Sequence, residues 1–137
     1  MRECIIRASK ENCGHAIEFV RSILEENQCD SPLIQMQVEL AIEEIFVNIA
    51  SYAYPSGNGD VCILAEVSGV PKALTVVFKD SGIPFDPLAM KDPDITLPTE
   101  QRSIGGLGIF LVKDNMDKVE YCYADGKNVL KIKKTLE

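Results

Sequence analysis

The run Val38-Glu-Leu-Ala-Ile-Glu-Glu-Ile-Phe-Val-Asn-Ile-Ala-Ser-Tyr-Ala-Tyr54 decides how this chain is to be read. At about 100° per residue, an apolar stripe passes through Ile34, Val38, Ala41, Ile45, Ile49 and Tyr52, which predicts a long helix packed on a core. Asn48 falls inside that stripe and Glu44 on its edge, whereas Glu39 and Glu43 come out on roughly the opposite side. Glu39 and Glu43 therefore read as a solvated face. Glu44 and Asn48 need polar partners, because a carboxylate or amide buried unpaired is costly. A bound ligand is one candidate partner.

Outward from this helix the punctuation is clear. Asp30-Ser31-Pro32 starts it, with a capping residue followed by proline at the first helical position, and it stops at about Ala53, before Pro55. Upstream, Glu3 to Ala8 reads as a short edge strand. Ser9, followed by Ile17, Val20, Ile23 and Leu24 at helical spacing, reads as a first helix to about Asn27. Downstream, Pro55 to Asp60 is a turn, and Val61 to Ser68 and Ala73 to Lys79 form a hairpin across Gly69-Val-Pro-Lys72. From Asp80 to Gly108 periodicity is lost among prolines, glycines and scattered charges, and a loop of that length inside a compact domain points to function. A short helix from Gly108 to about Asn115, strand Val119 to Tyr123, a turn at Asp125-Gly126 and strand Asn128 to Thr135 complete the chain. The order β α α β β loop α β β predicts an α+β domain: a two-layer sandwich, with a mixed, mostly antiparallel sheet and three helices on one face.

The 137 residues fit one domain, 1–137. A net charge of -7 argues against nucleic acid or an anionic membrane as the main partner. No run has the length of a membrane span, and the start, Met1-Arg-Glu-Cys4, has no apolar signal segment, so a cytoplasmic protein is expected. Cys4, Cys13, Cys29, Cys62 and Cys122 stand singly, without a CxxC pair, against both a disulfide framework and a zinc site. His15, the lone histidine, cannot build a metal cluster or a triad.

Three signals carry chemistry in order: Glu44-x-x-x-Asn48 on the second helix, Asp80-Ser-Gly82 closing a strand, and Gly105-Gly-Leu107-Gly108 opening the third helix. Each alone is a commonplace of turns and helix faces. Neither GxxxxGK[ST] nor a dinucleotide-binding GxGxxG is present. Together the three describe a nucleotide pocket. Glycines at a helix start let backbone N–H groups approach phosphates, where the helix dipole helps. Asn48 can complete a Mg²⁺ shell made mostly of waters and phosphates, and Glu44 can take a proton from an attacking hydroxyl or water. Asp80 can accept from an exocyclic amine such as adenine's, with Gly82 leaving room for the ring.

These boxes resemble the N, G1 and G2 boxes of the GHKL ATPases, with the Bergerat ATP-binding fold. The likeness is greatest to the small bacterial anti-sigma factor serine/threonine kinases, and it extends to Asn48 to Pro55, Asp80 to Pro87, Gly105 to Val112 and Asn128 to Lys134. The resemblance implies ATP or ADP with Mg²⁺ as cofactors. It puts the general base at Glu44, the magnesium-binding asparagine at Asn48, the adenine-contacting aspartate at Asp80 with Gly82 beside it, and the phosphate loop at Gly105, Gly106, Leu107 and Gly108. Phe85 to Ile104 is similar to the family's ATP lid, with Arg102 its candidate phosphate contact. One departure stands out: many relatives read Asp-x-Gly-x-Gly where Ile83-Pro84 follows Gly82 here, which alters the adenine edge and leaves Asp80 in place. The implied partners are a sigma factor and an antagonist with a STAS-type fold whose serine or threonine is phosphorylated, and a homodimer is implied as well. A nucleotide-binding regulatory module without phosphotransfer is the alternative. A detached histidine-kinase catalytic domain is disfavoured, since no dimerisation helices carry a phosphorylatable histidine.

Overall fold

The computed structural model describes residues 1–89 and 107–137. In chain order it comprises β1 (Arg2–Arg7), α1 (Cys13–Glu26), α2 (Pro32–Tyr52), β2 (Asp60–Ser68), β3 (Ala73–Asp80), α3 (Leu107–Asn115), β4 (Lys118–Ala124) and β5 (Lys127–Thr135), with short 3-10 turns at Lys10–Asn12 and Pro87–Ala89. The expected order of elements is the observed one.

The start of α2 follows its sequence signal. The Ser31 side chain accepts from the Ile34 N–H at 3.3 Å and Pro32 occupies the first turn, where a missing N–H costs nothing. α1 begins differently. Ser9 stays extended and makes no cap, its hydroxyl bonding Glu11 at 3.2 Å, so a 3-10 turn intervenes and the α-helix starts at Cys13.

The sheet runs β1-β2-β3-β5-β4, and all four of its pairings are antiparallel, with no parallel pair among the described residues. The pleat sends alternate residues to opposite faces, and the register aligns them into rows. Ala65, Val76 and Ile132 form one row on the inner face, and Ile63, Phe78 and Leu130 the next. All six are buried under α1, α2 and α3 in a single cluster. The row beyond them is Val61, Asp80 and Asn128, where the same buried face turns polar.

On α2, Val38, Ala41, Ile42, Ile45 and Phe46 are buried. The buried arc is wider than the predicted stripe and turned away from it: Ile42 and Phe46 join, Ile34 and Ile49 are half-buried, and Tyr52 is 51% exposed. The cause is lateral packing, since α2 carries α1 along one flank, tied by the Arg21–Glu39 ion pair at 2.6 Å, and α3 along the other. Glu43 lies in solvent, as expected. No described helix is long and apolar enough to cross a membrane.

Candidate functional site

Where the C-terminal half of α2 crosses the ends of β3 and β5, the domain leaves an open cleft. Its walls are largely apolar: Ile45 and Ile49 from α2, Phe78 from β3, Leu130 from β5 and Ile109 from α3. Asn48 and Asp80 both line it, so two of the expected site residues meet here although 32 positions separate them. An apolar slot with a few converging polar groups is the usual construction of a small-molecule site.

Asp80 is 6% exposed, the last residue of β3. Its Oδ1 accepts from the Gly82 N–H at 2.9 Å and from Asn128 Nδ2 at 2.9 Å. Sequence reading did not single out Asn128 as a site residue. Its signal was nonetheless present, because Asn128, Leu130 and Ile132 alternate along β5 and place an amide on the buried face, the same anomaly that marked Asn48.

Gly82 is packed against the end of α2: a Cβ there would collide with the carbonyl oxygen, Cβ and carbonyl carbon of Ala53. The Ile83 N–H donates to that same Ala53 carbonyl at 2.9 Å. Ile83-Pro84, the departure from the family pattern, is thereby held against α2, and Ile83 joins the cleft wall. Tyr54 completes this corner: its hydroxyl donates to the Asp60 carbonyl at 2.6 Å and accepts from the Ser81 N–H at 2.9 Å.

Glu44 lies one turn from Asn48, half-buried, and outside the cleft's lining. Its carboxylate packs onto Gly108 in the first turn of α3, where any Cβ would strike Oε2. Burial first, and then the neighbouring charge of Glu43, push the Glu44 carboxyl above its ordinary value of 4.5. A carboxylate so raised holds a proton more readily, which suits an acceptor of one. Helical phase had separated Glu44 from Glu43, and the two occupy opposite circumstances here. Leu107 begins α3. Arg102, Gly105, Gly106 and the part of the lid-like segment beyond Ala89 lie outside the described residues. Among the described residues no group of three or more His, Cys, Asp or Glu side chains gathers as a metal site.

Comparison with known proteins gives a match to the histidine kinase-like ATPase domain over residues 6–134. Similar proteins include Serine-protein kinase RsbW of Bacillus cereus (strain G9842), 29% identical over 100 residues that cover 70% of this chain and 61% of that protein. Proteins of the same name from Bacillus thuringiensis (strain Al Hakam) and Bacillus anthracis (strain CDC 684 / NRRL 3495) match at 29% and 28% over the same lengths. The chain thus spans about 61% of the length of the curated relatives it matches. Since the family match runs from the end of β1 through β5 and takes in every element that walls the cleft, the chain belongs to the histidine kinase-like ATPase domain family.

Proposed function

We propose that this chain is an ATP-dependent serine/threonine protein kinase that acts as an anti-sigma factor and phosphorylates a STAS-type antagonist. The observation that carries the reading is the cleft, an apolar slot lined by both the Asp80 carboxylate and the Asn48 amide. That set of groups fits a purine nucleotide. Apolar faces at Ile45, Ile49, Phe78 and Leu130 cover a flat ring, and a carboxylate oxygen accepts from an exocyclic amine. Asn48 fits magnesium as a single neutral oxygen ligand, which is enough for a cation that keeps most of its waters and takes the remainder from phosphates. When bound, the ion supplies neutralisation of phosphoryl charge.

The chain's own residues then divide the work. Asp80 fixes the base end, Asn48 orients the phosphate end, and Glu44, one turn further along α2, takes the proton of the acceptor hydroxyl. Positioning and charge stabilisation account for most of the rate in such transfers. The likeness to proteins named serine-protein kinase supports the acceptor class.

A homodimer fits the helix-free face of the sheet. There Ile5, 64% exposed, shares the outward face with Leu64, Val77 and Val129, an apolar strip that a second copy would cover.

Incubation with γ-labelled ATP and a STAS-type antagonist tests the central claim. Label on an antagonist serine or threonine is expected. ATP binding without label leaves the chain a nucleotide-dependent interaction module, and absence of ATP binding removes the nucleotide reading altogether.

A further inference from the structure

Asn128 stands directly across from Asp80 in the β3–β5 register and is 6% exposed. Its amide is committed on every side. Nδ2 donates to Asp80 Oδ1 and to the Ile83 carbonyl, both at 2.9 Å. Oδ1 accepts from the Phe85 N–H at 3.0 Å and from the Tyr121 hydroxyl. A side-chain amide has two donor hydrogens and two acceptor lone pairs, so no capacity remains for reading a ligand directly. The orientation of the amide follows from its partners, a carboxylate and a carbonyl on one side and two donors on the other.

The consequence falls on Asp80. A carboxylate can turn about its last torsion and offer either oxygen, or both, to a cleft. Here both hydrogen bonds fall on Oδ1, from Asn128 and from the Gly82 N–H. That pins the group and leaves Oδ2 as the oxygen without a partner among the described residues. The same amide holds Ile83 and Phe85, which line the cleft beside Asp80, so acceptor and wall are set by one side chain.

We infer that Asn128 is a positioning residue for nucleobase selection: by fixing Asp80 Oδ1 it presents Oδ2 as a lone acceptor, which takes a ring amino group and repels a ring carbonyl. This rests on the reading of the cleft as a nucleotide site. Selection by such a group is strong because a ring carbonyl in place of the amine leaves a carboxylate facing lone pairs, with neither satisfied.

Calorimetric titration with ATP and with inosine triphosphate, which carries a carbonyl where adenine carries its amine, provides the test. The unaltered protein is expected to prefer ATP by roughly 10- to 100-fold, the worth of one hydrogen bond to a charged group. Asn128→Ala, and Asn128→Leu, which keeps the volume but has no donor for Asp80, are expected to bring the ratio down toward unity. A loss of melting temperature with the ATP-to-inosine ratio unchanged in both variants makes Asn128 scaffolding only and overturns the inference. Should Asn128→Ala fail to fold, the Leu variant decides alone, since it leaves no cavity. An unaltered protein that binds the two triphosphates equally also overturns the inference while leaving the nucleotide site standing. One that binds neither overturns the site and the inference together.

Discussion

Glu44 and Gly108 explain each other. The carboxylate rests where a methyl group would have to go, and it is half-buried and short of solvent. Substituting Gly108→Ala therefore sets two effects against each other: alanine favours a helix over glycine by up to about 1 kcal/mol, but its Cβ displaces the end of a flexible side chain. The expected outcome is a melting temperature unchanged or raised, with phosphotransfer lowered by roughly 100-fold or more, the usual worth of a positioned proton acceptor. Gly82 behaves in the opposite way because it meets the backbone of Ala53, which cannot swing aside. Gly82→Ala is expected to cost about 1–3 kcal/mol, read as a drop in thermal midpoint. Glu44→Gln separates chemistry from stability. Its folded carboxyl titrates above its ordinary 4.5, so the unfolded chain releases the proton first, and stability falls as pH rises from the ordinary value through the raised one. The neutral variant escapes that loss. It is expected to bind ATP, fail to transfer phosphate, and melt higher than the parent at pH 7, with the gap closing below about pH 4.5. A gap that persists unchanged at low pH contradicts the burial of this charge. This pair was half legible in sequence, since helical phase distinguishes Glu44 from Glu43, but the partner on α3 lies 64 residues away and no periodicity reports it.

At the scale of elements, the strands were legible because alternation and turn residues act locally, and the hairpin joining β2 to β3 fell where Gly69 to Lys72 placed it. The beginning of α1 was misjudged for an equally local reason. A serine ahead of an apolar period signals a cap only if its hydroxyl is free, and Ser9 is bonded to Glu11. The corner at the end of α2 shows what local signals omit. Tyr54 connects α2 to the first residue of β2 and to the residue after β3, and its ring fills the space beside Gly59. Tyr54→Phe keeps the ring and removes both bonds. A loss of about 0.5–1.5 kcal/mol per bond is expected at most, measured by urea denaturation, with a weaker affinity for ATP because the Asp80-to-Gly82 turn loses a support.

The molecule as a whole was readable as a class and less so as a surface. Order of elements and burial pattern settle two layers, whereas the cleft is assembled from α2, β3, β5 and α3, whose contributions are distant in sequence and meet only through strand register. The flank of α2 that faces α1 was missed for the same cause, since the stripe on one helix does not report how many neighbours it has. The bare sheet face is where assembly is best tested. Ile5→Lys, which sets a charge in the middle of the outward apolar strip, is expected to shift the protein from dimer to monomer in light scattering. A variant dimer as tight as the parent's rules this face out.

α2 is also a measuring rod. Ala53, Asn48 and Glu44 lie along one rigid axis at about 1.5 Å per residue, so Ala53, the support of the Asp80–Gly82 turn, and Glu44 stand roughly 13 Å apart along it. That separation is fixed by the hydrogen-bonded helical backbone and unaffected by side-chain adjustment. Removing a single residue between Asn48 and Ala53 would shorten the rod by about 1.5 Å and turn Glu44 about 100° relative to Ala53. On the nucleotide reading proposed above, ligands on this surface would be gauged by length as well as by chemistry, and a nucleotide short of its terminal phosphate would occupy the base end without reaching Glu44.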